Sequence, residues 1–97
     1  MKTPKRFILG TKQYTVVQKR STPARGAVGH VVPSEGRIYL RTVFDRKPAT
    51  EEFRNAVFWH EAVHAILHDM KHPQWNDEIF VDGISDRLVQ IFTTAEF

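Results

Sequence analysis

The stretch from Thr50 to Met70 constrains the fold most, because its pattern is that of one long helix. Apolar residues recur there with the spacing of a single helical face, and neither glycine nor proline interrupts them. Thr50 is a suitable N-cap, and Glu51 and Glu52 suit the positive end of the helix dipole. We therefore predict a helix over this stretch whose apolar face packs against the rest of the chain.

This helix carries a His-Glu-x-x-His motif at His60, Glu61 and His64. Side chains four residues apart lie on the same helical face, so the two imidazoles can hold one ion between them. Zinc suits such ligands, and Glu61 lies about 100° around the helix, where it can reach a water on the metal. The alternative is a pair of histidines satisfied in a core with a surface glutamate between them.

A catalytic zinc site needs a third protein ligand, and the motif does not contain it. The chain has no cysteine, so imidazole and carboxylate must hold any metal. His68 follows His60 by eight residues, roughly 12 Å along a straight helix, which is too far for a shared ion. We expect His68 to support the site from outside the ligand shell or to be partly exposed, and His72 to lie in a loop.

Pro73 cannot continue the first helix, and a second helix is predicted from near Asn76 to about Phe92. Its apolar stripe suggests packing against the first helix. Gly83 within it predicts an especially close approach of the two helices.

The second helix offers a third ligand in Glu78, with Asp82 one turn later on the same face. Both acids flank the apolar Val81, so they face the first helix, and the turn at Pro73 allows Glu78 to approach His64. The alternative is that acids simply suit the positive end of a helix.

The residues before Pro48 have the pattern of strands. Two short strands are predicted around Gly10-Thr11-Lys12. A second hairpin turns at Pro33–Gly36 between the strands Ala27–Val32 and Gly36–Val43. The fold class is therefore α+β: a small antiparallel sheet of about four strands followed by two packed helices.

Charge is distributed unevenly along the chain. Residues 1–47 carry eleven Lys and Arg against two acids, a net +9, whereas residues 48–97 carry three against nine, a net −6. The basic half either faces the acidic half of the same domain or contacts an acidic protein or nucleic acid. The apolar run Phe7–Leu9 is too short for a signal peptide or a membrane span, so we expect a cytoplasmic protein that does not contact membranes.

The segments RIYLRT, FWHEAVHAILHD and VDGISDRLVQIF resemble the small zincin-type peptidases of phages and prophages, which are related in plan to the ImmA/IrrE metallopeptidases. The resemblance implies one zincin-like metallopeptidase domain over residues 1–97, working in the cytoplasm of a bacterial or phage-infected cell. It implies a gluzincin site with Zn²⁺ on His60, His64 and Glu78, Glu61 as general base, and Asp82 accepting a hydrogen bond from a ligand histidine. The thirteen residues between His64 and Glu78 are fewer than in larger gluzincins.

The predicted function is hydrolysis of a peptide bond by a zinc-activated water, with Glu61 as the general base. A donor to the oxyanion is still needed, and His68, Tyr39 or an arginine of the basic half is a candidate. The substrate is expected to add as a strand at the sheet edge, for which Gly36–Val43 is a candidate. Two alternatives remain: a catalytically weak, zinc-stabilised regulatory module that contacts an acidic protein or nucleic acid through its basic half, and a hydrolase of non-peptide bonds.

Overall fold

The computed structural model describes residues 2–97, in which six strands precede two helices. Neither helix is long and apolar enough to cross a membrane. The strands are β1 (Arg6–Leu9), β2 (Lys12–Lys19), β3 (Gly29–Val32), β4 (Arg37–Arg41), β5 (Val43–Phe44) and β6 (Lys47–Pro48), and the helices are α1 (Glu51–Asp69) and α2 (Glu78–Thr94).

Four of the strands form one sheet in the order β1-β2-β4-β3, and β5 and β6 form a separate ribbon. The α+β plan of about four strands and two helices is confirmed. The sheet is mixed, however, because β2 and β4 pair in parallel, so the prediction of a wholly antiparallel sheet is wrong at this pair.

Ile38 and Leu40 are fully buried. They place β4 in the centre of the sheet, and its hairpin partner β3 therefore lies at the edge.

Helix α1 is the middle layer and contributes to two cores. On one side Phe58, Ala62 and Ala65 pack on the sheet, and on the other Val63 and Leu67 pack on α2. The sheet supplies apolar side chains from every strand of its helix-facing side: Phe7, Leu9, Tyr14, Val16, Val31, Ile38 and Leu40. The residues between these, alternating along each strand, lie on the opposite face, where neither helix packs.

Local capping fixes the start of α1 and both ends of the connection between the two helices. Thr50 caps α1 by accepting a hydrogen bond from the Phe53 amide, as predicted. At the other end Lys71 takes a left-handed conformation, and the His72 amide donates to the Leu67 carbonyl in a Schellman motif. Asp77 caps α2, one residue later than predicted. The short turn brings the start of α2 back beside the middle of α1.

Two glycines differ sharply in how much room surrounds them. A Cβ on Gly29 of β3 would lie 2.4 Å from Val57 Cγ1 and 3.1 Å from Glu61 Cγ, so β3 approaches α1 closely at this point. A Cβ on Gly83 would meet only the Arg87 guanidinium of its own helix, at 3.6 Å. The prediction that Gly83 marks close packing of α2 on α1 is therefore wrong.

We expect Gly29→Ala to destabilise the protein by about 1–3 kcal/mol, because the added methyl group forces β3 away from α1. Gly83→Ala is the matched control and should raise the free energy of unfolding by about 0.5–1 kcal/mol, since alanine favours helix and has space there. Urea denaturation of both variants measures the difference. Equal stability of the two would contradict the close approach of β3 to α1.

Candidate metal centre

Four side chains meet where the middle of α1 faces the first turns of α2. His60 and His64 come from α1, and Glu78 and Asp82 from α2. Glu78 Oε2 lies 2.9 Å from His60 Nε2, and Glu78 Oε1 lies 2.9 Å from His64 Nε2. The two Nε2 atoms are 3.2 Å apart. Helical spacing aligns the histidines, and the turn at Lys71 brings the acids across to them.

The outer nitrogen of each imidazole has a partner that can only accept a hydrogen bond. His60 Nδ1 lies 2.8 Å from Asp82 Oδ1, and His64 Nδ1 lies 2.7 Å from the carbonyl oxygen of Trp75. A carbonyl oxygen and an ionised carboxylate carry no proton. Both Nδ1 atoms must therefore carry the hydrogen and donate it outward.

This tautomer leaves both Nε2 atoms with a lone pair directed at the same small space. Glu78 adds a carboxylate to that space, so in the neutral-imidazole state three acceptors converge with no hydrogen between them. A metal ion or a proton held between them would relieve their mutual repulsion. His64 is only 4% exposed, and a buried acceptor needs a partner, which a metal ion held by the cluster would supply.

The spacing of the acceptors fits a tetrahedral ion. Bonds of about 2.0–2.1 Å at the tetrahedral angle place two zinc-bound nitrogens about 3.3–3.4 Å apart. The observed Nε2–Nε2 distance of 3.2 Å is close to this value. One ligand atom from each of His60, His64 and Glu78 lies within 4.8 Å of the others. Two imidazoles and one carboxylate form a donor set that zinc enzymes use.

Glu61 occupies a separate position, between α1 and β3, and is not part of the ligand group. Its side chain is buried, at 6% exposure, and it fits because Gly29 has no side chain. Burial raises the pKa of Glu61 to about 7; His64 acts in the opposite direction, and Glu78 adds to the increase. A carboxyl group with this pKa can both accept and release a proton near neutral pH.

The cluster and Glu61 open into a cleft of about 650 Å³ between β3, α1 and α2. Its wall beside β3 is apolar, whereas its α2 wall carries acids. A cleft with an apolar wall and a few converging polar groups is typical of a ligand site. The apolar lining consists of Ala27, Val28, Phe53, Ala56 and Val57, and the acids on α2 are Glu78, Asp82 and Asp86.

The structure brings together the predicted residues His60, His64, Glu78 and Asp82, with Glu61 beside them. His68 is exposed and lies apart from the ligand atoms, with its ring against Trp75 at a centroid distance of 4.8 Å. His68 therefore contacts Trp75, whose backbone carbonyl is the hydrogen-bond partner of His64.

None of the predicted oxyanion donors lies in the cleft. Tyr39 is on the opposite face of the sheet, where Arg37 donates to its hydroxyl, and the cleft lining includes neither His68 nor an arginine. The lining residues whose side chains carry a donor, apart from the two histidines of the cluster, are Trp75, Asn76 and Ser85. His30 of β3 also borders the cleft, but it lies opposite Tyr39 in the β3–β4 register, so its side chain is on the other face of the sheet.

Sequence reasoning missed two contributors to the site. The Trp75 carbonyl fixes the His64 tautomer, and no sequence signal identifies it because any residue can supply a backbone oxygen. Gly29 makes room for Glu61, and here a signal existed, since a glycine inside a strand pattern often marks a close approach.

Comparisons of the chain with protein-family models, with curated proteins and with solved structures find no match.

We expect the protein to bind one zinc ion, and we expect Glu78→Ala to weaken binding more than Asp82→Asn does. Loss of the Asp82 hydrogen bond to His60 should cost about 10–100-fold in affinity, which is typical for a partner of a ligand histidine. Asp86→Asn is the matched control, because Asp86 lines the same cleft on α2 but touches neither histidine. Competition titrations with a zinc chelator measure all three. An affinity of Glu78→Ala equal to that of Asp86→Asn would rule out Glu78 as a ligand.

Proposed function

We propose that this protein is a zinc-dependent metallopeptidase of the gluzincin type. The observation that carries the proposal is the convergence of His60 Nε2, His64 Nε2 and the Glu78 carboxylate at the floor of an open cleft, next to a buried carboxyl group that is not a ligand. A purely structural metal site has no use for such a second carboxyl. The resemblance of the FWHEAVHAILHD segment to zincin-type peptidases points the same way.

The ligand set would leave a fourth position open to the cleft, as catalytic zinc sites do. When bound, zinc would supply a Lewis acid that polarises the scissile carbonyl and lowers the pKa of water toward about 7. Asp82 and the Trp75 carbonyl keep the Nδ1 protons in place, so both rings present Nε2 to the ion.

Glu61 acts as the general base in this proposal. Its carboxylate accepts the proton of the attacking water and then donates it to the nitrogen of the leaving amine. The cleft gives a peptide access to Glu61, while β3 and α1 shield the carboxyl from bulk water. Asn76, which also lines the cleft, is the candidate for stabilising the oxyanion.

The substrate is an extended peptide that adds to the outer edge of β3. The candidate from the sequence, Gly36–Val43, corresponds to β4, which has strands on both sides and offers no free edge. Among the described strands, β3 is the edge strand on the cleft side, and its residues line the cleft. Main-chain hydrogen bonds to such an edge bind a peptide largely independently of its sequence. We further propose that the protein acts in the cytoplasm of a bacterial or phage-infected cell, as the resemblance implies.

We expect Glu61→Gln to abolish hydrolysis while zinc binding persists. Loss of a general base typically costs about 10²–10⁴-fold in rate, and Gln keeps the size of the side chain. Glu52→Gln, an exposed glutamate at the start of the same helix, is the matched control and should retain full activity. The assay combines metal analysis with cleavage of a broad peptide library followed by mass spectrometry.

Three outcomes of this assay would count against the proposal. No zinc in the wild-type protein would overturn it entirely. Zinc without cleavage by the wild type would favour the zinc-stabilised binding module. Undiminished cleavage by Glu61→Gln would remove Glu61 from the mechanism.

A further inference from the structure

The face of the sheet that points away from α1 is strongly basic. Side chains alternate along each strand, and the helix-facing set leaves Arg6, Lys19, Arg37 and Arg41 on the opposite face. We call these four residues the basic sheet face. Glu35 lies at the end of the β3–β4 turn, and its carboxylate accepts a hydrogen bond from the hydroxyl of Tyr39, which is on this face.

The acidic half of the chain does not neutralise these cations by direct contact. Within residues 2–97, the ion pairs closer than 4.0 Å all join a histidine to Glu78 or Asp82, and no lysine or arginine takes part in one. The acids on α2 line the cleft, on the other side of α1. The hypothesis that the two halves of the chain pair with each other therefore finds no support in the ion pairs of the folded protein.

The four cations form a compact array across three neighbouring strands. Lys19 pairs with Arg41 in the β2–β4 register, and Arg6 and Arg37 both lie opposite Thr15. The four residue steps from Arg37 to Arg41 span about 13 Å along β4, and β1 lies about 10 Å from β4 across the sheet. Tyr39 lies between the two pairs, and its ring has Lys19 Nζ 5.1 Å from the centroid.

We propose that the basic sheet face binds single-stranded nucleic acid through its phosphates. Unpaired Lys and Arg on a flat surface match a phosphodiester backbone, and a single strand can lie across a sheet that is too broad to enter a groove of duplex DNA. Arginine is the better represented cation on this face, and its guanidinium fits phosphate oxygens.

Other partners fit this face less well. An interface with an acidic protein usually needs an apolar centre, and binding to a membrane surface needs inserted apolar side chains. On this face the basic residues have little exposed apolar surface between them. Ile8, with 74% of its surface exposed, is a large apolar residue there, and it lies on the outer strand β1. A second copy of the chain would bring like charges together. Phosphodiester chemistry is thus the best match, and this inference does not depend on the metal centre.

The test is fluorescence anisotropy with a labelled oligothymidylate of about 15 nucleotides. We expect a dissociation constant of about 1–100 µM at about 50 mM NaCl and a slope of log affinity against log salt of about −3, from about four phosphate contacts. Lys19→Gln/Arg37→Gln should weaken binding about tenfold and reduce the slope by about half. Arg25→Gln/Arg46→Gln removes the same charge from exposed loop positions and should change the affinity less than about threefold.

Wild-type protein provides a second measurement that does not depend on how the variants fold. On addition of the oligonucleotide, backbone amide shifts should change in β1, β2 and β4 and not in α2. Shifts confined to the cleft, equal weakening by the two double variants, or no binding at low salt would each overturn the proposal. Tighter binding to polyglutamate or to phosphatidylserine vesicles would also overturn it, in favour of an acidic protein or a membrane.

The metal centre is tested separately in the same assay. Glu61→Gln should bind the oligonucleotide like the wild type. Failure of nucleic-acid binding therefore leaves the proposed peptidase untouched, and loss of peptidase activity leaves the basic sheet face untouched.

Discussion

The convergence of two imidazole nitrogens and one carboxylate between α1 and α2 is the interaction on which the arrangement of the helices depends. Val63, Leu67 and Val81 are buried between the helices, the surrounding Trp75, Phe80, Ile84 and Leu88 are partly buried, and Ile79 and Ile91 of α2 remain exposed. The two histidines and Glu78 form the polar part of this contact. A cation held by His60, His64 and Glu78 would join the two helices directly, and in a chain of this size such a bond would be a substantial part of the stability.

The same helix serves structure and chemistry because its faces are used separately. Phe58, Ala62 and Ala65 anchor α1 on the sheet, while His60 and His64 face α2. Glu61 lies between these two directions, against β3, at the point where Gly29 leaves space. The position of Glu61 thus follows from the packing of α1 on the sheet, and the positions of His60 and His64 relative to Glu78 follow from its packing on α2.

Local patterns were sufficient to predict the helices and most of the cluster. The period of 3.6 residues located α1, and Thr50 located its start. The place of Glu78 and Asp82 beside Val81, after the turn at Pro73, predicted that they approach the histidines. The way the two hairpins join is not local, because it depends on which strand can bury both faces. Ile38 and Leu40 fill the core on one side of β4, and Tyr39 is covered by Lys19 and Arg37 on the other, so β4 becomes central and pairs in parallel with β2.

Because β4 pairs with both β2 and β3, it has no free edge. The proposed substrate edge therefore moves from Gly36–Val43 to β3. The uneven distribution of charge along the sequence likewise did not show where the charged surfaces lie in the fold. In the fold α1 lies between the acids of α2 and the basic sheet face, which leaves an acid-lined cleft on one side and the basic sheet face on the other. The two proposed functions therefore use opposite surfaces of one small protein.

The tautomers of His60 and His64 test the central claim most directly. A long-range ¹H–¹⁵N correlation spectrum of the imidazoles, recorded before and after one equivalent of zinc, distinguishes a protonated nitrogen from a metal-bound one. The convergence of acceptors requires two of the five histidines to carry the proton on Nδ1 and to bind zinc through Nε2. Protons that remain on Nε2 of both rings, or spectra that zinc leaves unchanged, would contradict it.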